Sequence, residues 1–289
     1  MLPFGTNGFC KAIPHQSKEE AHPWGADLNM LEVSDLKICT KHTKETLVNG
    51  ISFSVGAGET LGLIGESGSG KSMTSKCIMR LLNPRLFEMT GSVKWKGEEM
   101  LSKKAGAPKG FRGRQIGMIT QNPMTAFAPM IKLGKQLGMG FELKGGSARK
   151  EFYDRLDTAL AGVNLHDTKK IVNSYPDELS GGMLQRVMIA LTMMQRPELL
   201  IADECTTAVD AASEYLILGE LEKMRNDGMA MIVVTHDFGV AARLCDNVAV
   251  MKSGEIIETG KTLDVFRSPQ HEYTRELVSA SVLFREKVC

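Results

Sequence analysis

The stretch Gly65-Glu66-Ser67-Gly68-Ser69-Gly70-Lys71-Ser72 follows the apolar run Leu61-Gly62-Leu63-Ile64 and precedes a helix-compatible stretch from Met73 to Leu82. Two glycines five apart, then Lys and Ser, allow a backbone to curl until successive N–H groups point at phosphate oxygens. The dipole of the helix that follows favours the negative charge. In such a loop Lys71 reaches the β- and γ-phosphates of a nucleoside triphosphate and Ser72 holds Mg²⁺. A chance Gly/Ser-rich turn would account for the glycines. It would not account for the apolar strand before them, the Lys-Ser pair, or the helix after.

On either side of this loop the apolar residues are spaced for a layered α/β fold. Residues 31–40, and Ile51, Phe53 and Val55 alternating with Ser52 and Ser54, predict short strands of a half-exposed antiparallel layer. Ser92-Val93-Lys94-Trp95-Lys96-Gly97 adds a similar piece. The runs 116–120, 199–202 and 231–235 show little alternation, as strands covered on both faces should. Helix-compatible stretches separate them, which predicts a mainly parallel sheet with the phosphate loop at its carboxyl edge. From Asn122 to Tyr175 the composition turns to Met, Gly, Lys and Ala at helical spacing, an inserted α-helical lobe placed at 122–178. Residues 248–258 read as a hairpin turning at Ser253-Gly254, and 262–284 as short helices. The organisation is thus a mobile extension over 1–29, one domain over 30–280, and a tail over 281–289.

With 35 basic against 34 acidic residues, charge gives no case for nucleic acid or an anionic membrane as the main partner. The six cysteines (Cys10, Cys39, Cys77, Cys205, Cys245, Cys289) lack metal-ligand spacing and suggest reduced thiols in a cytosol. His15 and His22, without paired ligands, read as solvated polar residues. No window approaches a membrane-spanning apolar length and the first thirty residues lack the pattern of a signal peptide. The expectation is a soluble protein, or one peripheral to a membrane through partners.

Two further runs carry chemistry. Leu199-Leu200-Ile201-Ala202-Asp203-Glu204 is an apolar strand ending in two carboxylates. Asp203 is placed to hold Mg²⁺ directly or through water, and Glu204 to polarise the water that attacks the γ-phosphate. In Leu179-Ser180-Gly181-Gly182-Met183-Leu184-Gln185-Arg186, Ser180 looks like a helix N-cap, and Leu184, Val187, Met188, Leu191 and Met194 recur at helical spacing. That leaves the Ser180 hydroxyl and the Gly181 and Gly182 N–H groups at a positive helix end, a second anion site. The methionines here read as adaptable core filler rather than metal ligands. Two phosphate-binding surfaces with a single Lys-bearing loop suggest sites that meet across a dimer.

Gly65–Ser72, Gln121 after the 116–120 run, the 179–185 and 199–204 runs, Thr207-Ala208-Val209-Asp210 and Thr235-His236-Asp237 occur in the order seen in ABC transporter ATPase subunits. The chain resembles that family over about residues 30–280. The resemblance implies a P-loop NTPase (RecA-like) α/β fold. It also implies two subunits that sandwich two ATP molecules, each phosphate loop facing the partner's Ser180 and Gly182. By the same resemblance Gln121 senses Mg²⁺ and links the site to the helical lobe, which holds a groove for a helix of the membrane subunit. His236 contacts the γ-phosphate and Asp210 lies at the dimer seam. His42 stands 29 positions before Lys71, about where the family places an aromatic residue on adenine. Stacking by His42 and a solvated loop residue both remain open. The chain departs from the family at Cys205, where Pro is usual, and at Val209, where Leu is common. A cysteine there would loosen the placement of Glu204 or expose a thiol beside the nucleotide, making turnover thiol-sensitive.

Three runs resemble the peptide and nickel import branch: Gln121-Asn122-Pro123-Met124-Thr125-Ala126-Phe127, residues 182–190, and Ser268-Pro269-Gln270-His271-Glu272-Tyr273-Thr274. One cysteine near the end is too few for the iron–sulfur tail of some peptide importers. The short tail and the 121–127 run look most like a nickel import ATP-binding protein, with di- or oligopeptide import as the alternative. The implied partners are a second related ATPase in a head-to-tail dimer, two integral membrane permeases and, through them, an extracytoplasmic solute-binding protein. The implied location is the cytoplasmic face of the cell membrane. A soluble ABC ATPase acting on DNA or ribosomes is a further alternative. Such proteins usually carry tandem domains or a long coiled coil, and this chain has neither.

Overall fold

The computed structural model describes residues 29–101, 110–139, 141, 145–206 and 209–281. The chain opens with β1 (Asn29–Thr40) and β2 (Thr46–Gly56), after which β3 (Thr60–Ile64) enters the phosphate loop and α1 (Lys71–Ile78) leaves it. Next come β4 (Phe87–Trp95), β5 (Glu98–Glu99) and β6 (Ile116–Ile119). The helices α2 (Leu133–Gly138), α3 (Gly145–Gly162), α4 (Thr168–Asn173) and α5 (Gly181–Gln195) lead to β7 (Leu199–Asp203). Then α6 (Ala211–Asn226), β8 (Ala230–Thr235) and α7 (Phe238–Leu244) precede β9 (Asn247–Lys252), β10 (Glu255–Lys261), α8 (Thr262–Arg267) and α9 (Glu272–Ala280).

Two sheets form. One is antiparallel, in the order β2-β1-β4-β5. The other runs β10-β9-β3-β8-β7-β6, parallel except for the β9–β10 hairpin. The parallel strands are buried on both faces, and their side chains divide between two cores with the period of two that a strand dictates. Leu199, Ile201, Ile232 and Val234 face the antiparallel sheet and share a core with Leu31, Val33 and Ile38. Leu200, Ala202, Met231 and Val233 face the helices and share a core with Leu156, Leu160, Leu184 and Val187. Of the α5 face that the spacing predicted, Leu184, Val187, Met188 and Met194 are buried and Leu191 is half-buried, and Met188 and Met194 fill that core. The fold is the expected α/β arrangement: an antiparallel layer, a mainly parallel sheet and, between β6 and α5, a set of helices.

Register brings the carboxyl ends of the central strands level. Ile64 pairs with Thr235, and Asp203 with Val234. The phosphate loop, Glu204 and His236 therefore leave the sheet at one edge, and Gln121 follows the end of the neighbouring β6.

Some boundaries differ from the sequence expectation. The helix after the loop begins at Lys71 rather than Met73 and ends at Ile78, with Arg80 beyond it at φ 53°. β4 begins at Phe87 instead of Ser92, because residues 87–90 pair with 37–40 of β1. The pairing slips between Ser34 and Lys37 of β1, opposite Gly91; in β4 the apolar residues Phe87, Met89, Val93 and Trp95 keep one phase, and only Gly91 leaves a gap in it. Asn29, assigned to the extension, opens β1. Residues 1–28, with His15 and His22, and residues 282–289 lie outside the described residues, as do Thr207 and Ala208. Among the described residues no helix is long and apolar enough to cross a membrane.

Candidate functional site

The loop from Gly65 to Gly70 turns tightly because glycine permits it. Gly65 and Gly70 adopt φ of +154° and +103°. A Cβ on Gly65 would lie 2.1 Å from the Met251 carbonyl oxygen, and one on Gly70 would lie 2.8 Å from that of Leu47. Neither position has room for a side chain. The N–H of Gly254, in the β9–β10 turn, donates to the Ser69 carbonyl at 3.1 Å, so the hairpin and β2 together form the outer wall of the loop.

Lys71, the first residue of α1, is buried and folds back over the loop. Its Nζ donates to the carbonyls of Gly65 and Glu66, each at 2.7 Å, and to Ser69 Oγ at 3.3 Å. Burial holds its ammonium below the ordinary lysine value, although Glu204, Asp203 and Glu66 all act to raise it. A cation enclosed by carbonyls and facing carboxylates is placed to receive a phosphate's charge.

The Ser72 hydroxyl donates to Asp203 Oδ1 at 2.9 Å across the gap between α1 and β7. Asp203 is buried, and burial pushes its carboxyl above the ordinary value; the Ser72 hydrogen bond opposes the shift and Glu204 adds to it. The pair offers a hydroxyl and a carboxylate, two hard oxygen donors suited to Mg²⁺.

Glu204 stands one residue past β7 at φ 46°, and its N–H is held by the Val234 carbonyl at 2.9 Å. Gln121 Nε2 donates to Glu204 Oε2 at 2.8 Å, and His236 Nδ1 lies 3.5 Å from Oε1. The His236 side chain is largely exposed, whereas Glu204 is mostly covered. The structure therefore gathers Lys71, Ser72, Gln121, Asp203, Glu204 and His236 at one sheet edge, with Ser72 in contact with Asp203, and Gln121 and His236 with Glu204. They come from three strand ends and the first turn of α1.

Ser180 caps α5, its Oγ accepting from the Met183 N–H at 3.3 Å, and Ser180 and Gly181 are exposed. The link from this helix to the carboxylates runs through Gln185, whose Nε2 donates to the Cys205 carbonyl at 3.0 Å. Asp210 caps α6, accepting from the N–H and hydroxyl of Ser213. His42 sits on the exposed turn between β1 and β2. The Gln185 contact had no counterpart among the sequence expectations; a glutamine in an otherwise apolar helix face is its available signal.

Cys205 corrects an expectation. Its thiol is buried at 4% exposure, and burial pushes its pKa up to about 12. A buried neutral thiol is a poor nucleophile, so it is no reactive group beside the nucleotide. Among the described residues no group of three His, Cys, Asp or Glu side chains gathers for a resident metal.

A family model described as ABC transporter matches residues 48–207. The chain is 41% identical over 256 residues to the oligopeptide transport ATP-binding protein OppD of Salmonella typhimurium, covering 87% of this chain and 76% of that one. It is 40% identical over 253 residues to the metal-staphylopine import system ATP-binding protein CntD of Staphylococcus aureus, covering 87% and 93%. Among solved structures it is similar to a dimeric ATP-binding cassette in a post-hydrolysis state bound to ADP and phosphate. The TM-score is 0.69 at 25% identity, over 81% of this chain and 99% of that one.

Proposed function

The chain belongs to the ABC transporter family, as an ATP-binding ATPase subunit of its peptide and metal-chelate importer branch, and on that premise we propose that it powers uptake of a small peptide or a peptide-like metal chelate. The observation that carries the reading is the placement of Glu204, held by Gln121 and beside His236, one residue from the Asp203–Ser72 pair.

In this mechanism the loop N–H groups and Lys71 bind the β- and γ-phosphates of ATP. Ser72 and Asp203 would hold Mg²⁺, which supplies charge stabilisation to the phosphate oxygens when bound. Glu204 accepts the proton of the attacking water, and Gln121 keeps its carboxylate aimed. His236, exposed on the opposite side of Glu204, contacts the γ-phosphate, and His42 offers its ring to adenine. A second, related ATPase subunit brings its counterparts of Ser180, Gly181 and Gly182 to this loop, and its own loop receives Ser180, Gly181 and Gly182 from this chain. The helices between 122 and 178 dock the membrane permeases, which keeps the chain at the cytoplasmic face of the membrane and links it to a solute-binding protein outside.

On cargo, the relatives named above support oligopeptides and a metal chelate. Nickel enters only as one metal that such a chelate could carry. Uptake into membrane vesicles holding this subunit and its permeases decides it: ATP-dependent accumulation of labelled oligopeptide, or of chelated nickel, identifies the cargo. Stable association with ribosomes or DNA, without permeases, would overturn the transport reading.

A further inference from the structure

The run Ser268-Pro269-Gln270-His271-Glu272-Tyr273-Thr274 has no part in the mechanism above, yet it reaches the phosphate loop. The Glu66 N–H donates to the Tyr273 hydroxyl oxygen at 3.2 Å, across 207 positions of sequence. The Tyr273 ring is 5% exposed, and Lys252 Nζ lies 4.4 Å from its centroid. Lys252 adjoins Met251, whose carbonyl closes the space at Gly65.

The platform that presents Tyr273 is itself fixed. Glu258 accepts from the N–H groups of Gln270 at 2.8 Å and His271 at 3.1 Å, and His271 Nδ1 accepts from the Tyr273 N–H at 3.1 Å. One helix earlier, the Phe266 ring packs on Phe238 at 4.9 Å between centroids. Phe238 opens α7, directly after His236-Asp237.

We propose that Tyr273 is a positioning residue for ATP binding, setting the Glu66 backbone and through it the Lys71 ammonium. The residue Glu66 is held from two sides: its N–H by Tyr273 from outside the loop, and its carbonyl by Lys71 Nζ from inside at 2.7 Å. Rotation of the Glu66 peptides would move the carbonyl that orients Lys71, the group that meets the β- and γ-phosphates. The inference rests on the reading of Gly65–Ser72 as the ATP site.

The test is Tyr273→Phe in the full chain, assayed for MgATP hydrolysis with the partner ATPase subunit present, with Tm measured alongside. The ring stays, so the packing and the Lys252 contact stay, and only the hydroxyl is lost. One net hydrogen bond corresponds to a rise of about two- to tenfold in KM for ATP. The expected result is that rise with kcat held near the wild-type value. A KM equal to that of the wild type, whatever happens to Tm, overturns the proposal. Amide hydrogen exchange on wild-type protein gives a second readout that needs no variant: the Glu66 amide is protected if Tyr273 holds it, and exchange at the rate of an open loop overturns the proposal. Wild-type protein that does not hydrolyse ATP with the partner ATPase subunit present would overturn the underlying ATPase reading itself, an outcome separate from an unshifted KM.

Discussion

Replacing Gly65 by Ala should disable the phosphate loop far more than the same change three residues on. At Gly65 the added methyl meets the Met251 carbonyl oxygen at 2.1 Å and Ser69 Oγ at 3.0 Å, on a backbone at φ +154°. The left-handed region costs a non-glycine residue about 1–3 kcal/mol. Forcing apart a packed backbone adds roughly 1–3 kcal/mol more. Gly68, at φ +85°, has nothing within 4 Å of the position a methyl would take, so it carries the backbone strain alone. Gly65→Ala should therefore lose about 2–6 kcal/mol against about 1–3 for Gly68→Ala, where total stabilities run to about 5–15 kcal/mol. Urea unfolding with matched slopes measures the difference, and fluorescent nucleotide binding follows the loop itself. Since β9 cannot retreat without opening the hairpin wall, Gly65→Ala should also bind nucleotide more weakly. Equal losses for the two variants would refute the claim that the Met251 carbonyl sets the shape of the loop.

Burial governs two further outcomes. Treatment of native protein with a maleimide should leave Cys205 unlabelled while the partly exposed Cys39 reacts, as read by peptide mass analysis; rapid labelling of Cys205 would contradict its burial. Asp203 is held above its ordinary value of 3.8, so the folded state binds more protons than the unfolded state between 3.8 and the raised pKa. Stability contributed by this group is present at low pH and lost as pH rises through that window. Asp203→Asn should therefore melt higher than the wild type at neutral pH, with the gap closing as pH falls toward 3.8, while hydrolysis drops. Glu204, the largest electrostatic partner of Lys71, remains in that variant. A melting gap that is constant with pH would show that ionised Asp203 costs nothing in the fold.

Much of the site was legible in the sequence because its parts are local. Glycine spacing, a Lys-Ser pair, and carboxylates or a histidine just past an apolar run each sit within a few residues of the strand end that positions them. Parallel pairing then does the assembly, since strands in register deliver their carboxyl ends to one edge. What the sequence did not reveal is non-local or depends on burial. No pattern near Tyr273 or Glu66 announces a hydrogen bond between them, which arises from where α9 folds back. The first half of β4 was hidden by Gly91, which leaves a gap in the apolar alternation between Met89 and Val93, although the phase continues across it. The inertness of Cys205 follows from the core that closes over it, to which residues far along the chain contribute, including Ile217 and Val240. Read locally, a cysteine in place of a proline beside two carboxylates looks like an exposed thiol; packing decides otherwise.

The central claim is that Glu204, aimed by Gln121 and flanked by His236, is the base for hydrolysis in a site that a second subunit completes. Glu204→Gln keeps the size of the side chain and an oxygen to accept from Gln121 Nε2, and removes only the capacity to take a proton. With the partner ATPase subunit present, MgATP turnover should fall by about 10²-fold or more, while ATP-dependent pairing, followed by light scattering, is retained. Hydrolysis by Glu204→Gln at the wild-type rate would contradict the account.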